Sequence, residues 1–172
     1  MDNADPNKDL SIALNDDVLL STLKNCIEEV FSMMVEHYEY GMSTQGPRTA
    51  AGEALTEPED LEAIVGFSGR LGGSVILRCC EGGAVNIAQG LLMMDAGESL
   101  EKEEVCDALA ECANMVAGAF KTKVLDPVAD FSLGIPEIRV PEEECGDYRC
   151  GALEYALQSG KLTAEIWIEP RE

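Results

Sequence analysis

Apolar and polar residues alternate with two different periods along the chain, and the first period is helical. Over residues 19–34 the apolar positions recur at steps of three and four, and Asn15 or Asp16 can cap the start of such a helix. This pattern predicts a first helix that runs to about Tyr38. Residues 41–60 are rich in proline, glycine, serine and threonine, which indicates a long connection with one short strand near residue 50.

The period then changes to that of strands and returns to that of helices. Residues 63–67 and 74–79 are apolar runs separated by turn-forming residues, and together they predict a β-hairpin. Helical spacing follows over about residues 83–94, and again over a longer stretch at about residues 102–124.

Extended patterns return in the last third of the chain, at residues 130–140, 148–157 and 162–168. The predicted order is therefore helix, two strands, two helices and three strands. Because helices and strands are segregated, we expect an α+β fold with two layers, in which a mixed or antiparallel sheet packs against long helices. Residues 1–15 are polar and acidic and are predicted to form a flexible N-terminus, whereas residues 16–172 form a single domain.

The charge balance excludes several classes of partner. The 172 residues include 33 Asp and Glu but only 12 Lys and Arg, for a formal net charge of −21. Nucleic acids and anionic membranes both require a basic surface, so neither is an expected partner. The chain begins without a secretory signal pattern, and its longest apolar-leaning stretch, residues 82–94, is too short to span a bilayer.

The cysteines predict a reducing cytoplasm rather than a disulfide framework. They are seven in number and contain no CxxC pair. Their positions are Cys26, Cys79, Cys80, Cys106, Cys112, Cys145 and Cys150. His37 is the only histidine, so no metal site is expected. A redox pair formed by Cys145 and Cys150 is an alternative that a thiol titration can test.

The second long helix carries two distinct faces. At about 100° per residue, its buried stripe should comprise Val105, Leu109, Cys112, Val116 and Phe120. The opposite side carries an axial row formed by Asp107, Glu111, Asn114 and Gly118. We call these four residues the outward row. Asn and Gly each cost several tenths to about 1 kcal/mol in the middle of a helix, so either the row is an ordinary solvated face or a partner must approach it closely.

The chemistry of the outward row is compatible with phosphoryl transfer on a protein substrate. A carboxamide such as that of Asn114 can hold an attacking water without presenting negative charge to a phosphoryl group. Glu111 would repel phosphate but can pair with a lysine of the substrate protein. The face has no Arg or Lys clamp and no glycine-rich phosphate loop, so a phosphorylated substrate would have to bring its own cations.

These residues resemble the signature of the CheC/CheX/FliY chemotaxis phosphatases. That signature is matched by Asp107, Glu111 and Asn114, followed after 21 intervening residues by Pro136. The hairpin with its bounding glycines, and the stretch from Asn114 through Gly118 to Lys121, are also similar to CheX. The resemblance covers about residues 16–169.

The resemblance implies a CheC-like fold and hydrolysis of the phospho-aspartate of a CheY-like response regulator. It assigns Asn114 to positioning the attacking water and Glu111 to a salt bridge with the lysine of the regulator. Asp107, Gly118 and Pro136 take supporting roles. The chain itself is expected to bind no cofactor, because Mg²⁺ belongs to the acidic pocket of the regulator.

The first helix and the segment around Asn86 do not repeat the motif spacing, and a single active centre is typical of the CheX type, which implies a homodimer. Two alternatives stay open from the sequence. The chain could be a non-catalytic scaffold or flagellar-switch-type module that binds the regulator without hydrolysis. It could also be a thiol-based sensor, a hypothesis that rests on the seven cysteines alone.

Overall fold

Helices and strands follow one another in the chain much as the hydrophobic pattern predicts. The structure is a computed structural model, and it describes residues 14–34, 38–42, 60–95, 97–140 and 148–168. The helices within these ranges are α1 (Asp16–Met34), α2 (Glu81–Leu91) and α3 (Lys102–Phe120). The strands are β1 (Tyr38–Met42), β2 (Leu61–Gly69), β3 (Gly73–Cys79), β4 (Phe131–Leu133), β5 (Glu137–Arg139), β6 (Tyr148–Leu157) and β7 (Gly160–Ile168).

The strands form one seven-stranded sheet in the order β1-β6-β7-β3-β2-β4, and β5 also pairs with β2. Every pairing among the described strands is antiparallel. Val75 shows how the centre of the sheet is aligned, since it lies opposite Val65 on one side and Ile166 on the other. This architecture confirms the predicted α+β fold.

The core lies between the helices and one face of the sheet. On β2 the side chains of Ala63, Val65 and Phe67 point into the core, where they join buried apolar residues from all three helices. Alternation along each strand sends the intervening residues to the other face. The helices therefore form one layer and the sheet the second.

The predicted first helix was too long. The helix α1 ends at Met34, and Tyr38 begins the strand β1 instead. This strand lies antiparallel to β6, with Tyr38 opposite Leu157. Aromatic residues favour strands, and a partner more than a hundred positions away overrides the local helical pattern.

The predicted strand at residues 130–140 is divided into β4 and β5, each three residues long. Leu133 lies opposite Phe67, whereas Glu137 lies opposite Ile64, so four steps along this edge face three steps along β2. The extra residue makes the segment between the two strands, residues 134–136, a β-bulge, which we call the edge bulge.

The other helix boundaries differ by a few residues from the predictions. The helix α2 begins at Glu81, where the thiol of Cys80 accepts a hydrogen bond from the backbone N–H of Gly83 at 3.4 Å. The helix α3 continues as a π-helical turn over Lys121–Leu125, close to the predicted end. None of the described helices combines the length and apolar character needed to cross a bilayer. The possible strand near residue 50 and residues 1–13 of the predicted N-terminus lie outside the described residues.

Candidate active site on helix α3

The helix α3 has the two faces that its sequence predicts. All five residues of the buried stripe are at most 4% exposed: Val105, Leu109, Cys112, Val116 and Phe120. On the opposite side, Asp107 and Glu111 are exposed, and Asn114 and Gly118 are half-buried. The stripe fixes the rotation of the helix against the sheet, and this rotation turns the outward row away from the core.

Local interactions at both ends of α3 hold it in place. At the start, the carboxylate of Glu104 accepts a hydrogen bond from the backbone N–H of Glu101 at 2.9 Å, which satisfies a donor left free by the first turn. Near the end, the ring centroids of Phe120 and Phe67 lie 6.3 Å apart, which docks the helix on β2.

The polar side chains of the outward row are not engaged in interactions with other described residues of the chain. Within the part of the chain that the structure describes, no hydrogen bond or ion pair involves the side chain of Asp107, Glu111 or Asn114. Glu111 and Asn114 are three residues apart on the helix and therefore lie side by side on the same face. A carboxylate and a carboxamide are thus available together to an incoming partner.

The basic residues beyond the C-terminal end of α3 are already paired. Lys121 lies 2.9 Å from the carboxylate of Asp126, and Lys123 pairs with Glu29 of α1. The hydrogen bond to Glu29 also raises the pKa of Lys123 above its ordinary value. Both of these positive charges are therefore paired with carboxylates outside the outward row.

Gly118 keeps the C-terminal part of the row flat. Apart from its chain neighbours and the backbone of its own helix, a Cβ atom added at this position would meet no described atom within 4 Å. Internal packing therefore does not require glycine here, although glycine destabilises a helix by about 1 kcal/mol relative to alanine. The open space above Gly118 is suited to close approach by another molecule.

Pro136 lies beside α3 rather than on the outward row. It is the last residue of the edge bulge, where its missing N–H does not interrupt the pairing with β2. The bulge is tied to β2 by the backbone N–H of Gly134, which donates to the carbonyl of Gly66 at 2.7 Å.

The level of Pro136 along the helix follows from the packing. The helix α3 contacts β5, the π-helical turn that follows it contacts β4, and Phe120 at the end of α3 reaches Phe67. The helix therefore runs along β2 from the level of β5 towards that of β4. Asn114 is about 9 Å back along the helix from Phe120 at 1.5 Å per residue. Ile64, opposite Glu137 in β5, is about 10 Å back along β2 from Phe67. Asn114 and the edge bulge therefore stand at about the same height.

Residues 61–145 match the family described as the chemotaxis phosphatase CheX. The chain belongs to the CheX family. No curated protein sequence matches it. The match includes Glu111, Asn114 and Pro136, so the residues that carry the resemblance in the sequence lie in the segment that identifies the family.

Solved structures of CheX proteins share the fold. The crystal structure of a CheX–CheY–BeF₃–Mg²⁺ complex from Borrelia burgdorferi matches with a TM-score of 0.69 at 19% identity, covering 88% of this chain and 97% of that one. CheX from Vibrio vulnificus matches with a TM-score of 0.65 at 22% identity, over 88% of this chain and 96% of that one.

The fold also extends to a flagellar protein. The middle domain of FliM from H. pylori matches with a TM-score of 0.61 at 14% identity, covering 87% of this chain and 86% of that domain. These likenesses confirm the predicted CheC-like fold of this CheX-family chain.

Three of the five cysteines whose side chains are described serve in packing. Cys26, Cys79 and Cys112 are buried free thiols, whereas Cys80 and Cys106 are partly exposed. Burial raises the pKa of Cys26 to about 11 and that of Cys112 to about 12, so neither forms a thiolate near neutral pH. These observations argue against a thiol sensor built on the buried cysteines.

The remaining sequence predictions on cysteines and metals concern residues that the structure describes only in part. The side chains of the proposed Cys145 and Cys150 pair lie outside the described residues. Among the described residues, no cluster of three or more His, Cys, Asp or Glu side chains could hold a metal ion.

Sequence reasoning missed a cluster of buried charges on the sheet face that points away from the helices. Its members are Glu62, Arg78, Arg139, Glu165 and Trp167, which we call the buried ion network. One carboxylate oxygen of Glu62 accepts two hydrogen bonds from Arg78, at 2.6 and 2.8 Å. The other accepts a hydrogen bond from Nε of Arg139 at 2.9 Å and lies 2.8 Å from its Nη2.

Glu165 completes the network from β7. It accepts a hydrogen bond from the indole N–H of Trp167 at 2.7 Å and a longer one from Arg78 at 3.4 Å. The sequence contained one indication of this cluster. Glu62 and Arg78 each lie between two core residues on a strand, so both side chains point to the opposite face of the sheet. These charges meet only when the strands β2, β3, β5 and β7 are assembled.

Proposed function

We propose that this chain hydrolyses the phospho-aspartate of a CheY-like response regulator, with Glu111 and Asn114 as its catalytic residues. The observation that carries the proposal is the pair itself. An exposed carboxylate and a half-buried carboxamide lie side by side on one helix of a CheX-family protein, with no partner among the described residues.

Asn114 positions the attacking water. Its amide oxygen accepts a hydrogen bond from the water, and its NH₂ group donates to an oxygen of the water or of the phosphoryl group. The water oxygen attacks phosphorus, the bond from phosphorus to the aspartate oxygen breaks, and the products are aspartate and inorganic phosphate. The proton lost by the water goes to phosphate or solvent, because a carboxamide is not a base at neutral pH. Alignment of one water can supply much of the rate enhancement for a labile acyl phosphate.

Glu111 orients the regulator. Its carboxylate forms an ion pair with the regulator lysine that lies next to the phosphoryl group. Asp107, Gly118 and Pro136 support the site by shaping the helix face and the adjacent sheet edge. The division of roles follows from charge, since a carboxylate repels the phosphoryl group that a neutral amide can approach.

The magnesium ion in this reaction belongs to the regulator. The Borrelia burgdorferi complex pairs a CheX protein with CheY, BeF₃ and Mg²⁺, and beryllium trifluoride stands in for a phosphoryl group. The described residues of this chain offer no metal cluster of their own. With the cation held by the partner, the phosphoryl charge is compensated there, and the chain needs no phosphate clamp of its own.

A dephosphorylation time course tests the proposal. Catalytic amounts of the chain should speed the loss of phosphate from one of the CheY-like regulators of the same source. Asn114→Ala should lower kcat by about a hundredfold, comparable to the loss of one positioned hydrogen-bonding group elsewhere. Asn25→Ala is a matched control, because Asn25 is an exposed asparagine on α1. Undiminished activity of Asn114→Ala would contradict the role assigned to Asn114.

The second candidate function is a binding module that recognises the regulator without hydrolysing it. The fold shared with the middle domain of FliM favours this alternative. It predicts tight binding of the BeF₃-activated regulator together with an unchanged rate of phosphate loss. Calorimetry and the time course on the same sample separate the two functions.

We also propose that the chain forms a homodimer in the cytoplasm. The strand β1 is the outermost of the described strands at one edge of the sheet, and an edge strand can pair with the same strand of a second copy. The five cysteines whose side chains are described are free thiols, as is typical of a reducing compartment. Analytical ultracentrifugation tests the dimer, and fractionation of the source cells tests the location.

A further inference from the structure

The edge bulge holds an apolar side chain outside the core. Ile135 is 87% exposed, although it lies between two strands whose other apolar members, Phe131, Leu133 and Ile138, pack against the core. The extra residue of the bulge breaks the alternation of the strand, so Ile135 has no buried position to occupy.

The bulge is fixed at both ends. On one side, Gly134 donates its backbone N–H to Gly66 at 2.7 Å. On the other side, Arg139 holds the short strand β5 through its contacts to one carboxylate oxygen of Glu62, which is fully buried. Ile135 is therefore presented on a tethered segment rather than on a loose loop.

We infer that Ile135 is an apolar contact for the response regulator, and that the docking surface extends from the outward row across to the edge bulge. This inference rests on the proposed function. The bulge stands at about the height of Asn114 along α3, so a protein seated over Glu111 and Asn114 reaches the sheet edge at Ile135. Protein interfaces combine buried apolar contacts with a polar, solvent-accessible rim.

The charges around Ile135 favour the regulator, rather than a second copy of the chain, as the molecule that binds this surface. The exposed carboxylates of Glu111 and Glu137 flank this surface, and a second copy carries the same formal net charge of −21. A regulator that brings a lysine complements these acids. The bulge and Pro136 also make this edge unsuitable for pairing with another strand.

Binding and turnover of two variants test the inference. Ile135→Ser should raise the Kd for the BeF₃-activated regulator about tenfold, the loss expected when a large part of one apolar side chain no longer leaves water. The kcat at saturating regulator should stay within about twofold of wild type, because Asn114 and Glu111 are untouched. Ile135→Leu keeps the apolar surface and should restore the Kd to within about twofold of wild type.

Met33→Ser is the matched control, because Met33 is 68% exposed and lies on α1, which contacts β6 and β7 in the other half of the sheet. It should bind as wild type does. Equal losses in Ile135→Ser and Met33→Ser, or wild-type affinity in Ile135→Ser, would overturn the inference while leaving the proposed function standing.

Two further outcomes also decide against the contact. If Ile135→Ser changes the sedimentation of the chain alone and not the Kd for the regulator, the occupant is a second copy. If the wild-type chain neither binds nor dephosphorylates any regulator of the same source, the proposed function fails, and this inference fails with it.

Discussion

The outward row and the buried ion network use the same kinds of side chain for opposite purposes. In the network, the carboxylates of Glu62 and Glu165 are fully buried and both accept hydrogen bonds from Arg78 on the strand between them. In the row, Glu111 is exposed and has no partner among the described residues. Buried charges must be satisfied within the fold, whereas an uncommitted polar group at the surface is available for function.

Substitutions in the two regions should also affect different properties of the protein. Removing a member of the network leaves a buried charge without its partner, which acts on stability. Removing a member of the row leaves the fold intact and acts on the reaction.

The largest effect is expected from Arg78→Met. Arg78 is 3% exposed and lies between Glu62 and Glu165, so its loss leaves two buried carboxylates undercompensated. The free energy of unfolding should fall by about 3–5 kcal/mol. Urea unfolding followed by the fluorescence of Trp167, the single tryptophan, measures the change.

Lys161→Met is the control for Arg78→Met. Lys161 pairs with Glu154 at 3.1 Å, but its side chain is 74% exposed. Such surface pairs contribute about 0–1 kcal/mol, so this variant should unfold nearly as wild type does. A fall of less than about 1 kcal/mol in Arg78→Met would show that the network is not an essential part of the fold.

A smaller effect, and one on function alone, is expected from Glu111→Gln. The substitution keeps the shape of the side chain and removes the charge that pairs with the regulator lysine. The kcat/KM for the phosphorylated regulator should fall about tenfold, whereas the free energy of unfolding should change by less than about 0.5 kcal/mol. The ratio of wild type to variant should shrink as salt is raised to about 1 M, because ions screen the pair.

Glu98→Gln is matched to Glu111→Gln, because Glu98 is also an exposed carboxylate and its loss changes the net charge by the same amount. Its kcat/KM should equal that of wild type. A similar loss in both variants would mean that the total charge matters rather than the position of Glu111.

The smallest effect is expected from Gly118→Ala, and it should have opposite signs in the two assays. The new methyl group meets no described atom within 4 Å outside its chain neighbours and its own helix backbone, so the helix should gain up to about 1 kcal/mol in stability. The same methyl group should lower kcat/KM about fivefold by holding the regulator away from Asn114.

Ser32→Ala separates these two consequences of Gly118→Ala. Ser32 is exposed on α1, where alanine also favours the helix without adding an atom to the outward row. This control should be slightly more stable and fully active. Full activity in Gly118→Ala as well would show that the regulator does not approach closely there.

The sequence predicted the parts of the fold that depend on near neighbours. The β2–β3 hairpin and the buried stripe of α3 were correctly placed, because a tight turn and a helical repeat are fixed by residues a few positions apart. The first helix was extended too far, since nothing near Tyr38 reveals its partner Leu157. The edge bulge was read as continuous strand, because its extra residue appears only in the register with β2.

The candidate site divides in the same way. The sequence by itself determined which residues form the outward row, because a helix sets their spacing and its apolar stripe sets their direction. Only the tertiary structure decided that Arg78 would be buried between carboxylates, that Pro136 would stand level with Asn114, and that Ile135 would point outward. Each of these depends on strands that are distant in the chain, and a local sequence pattern does not specify which distant strands will pair.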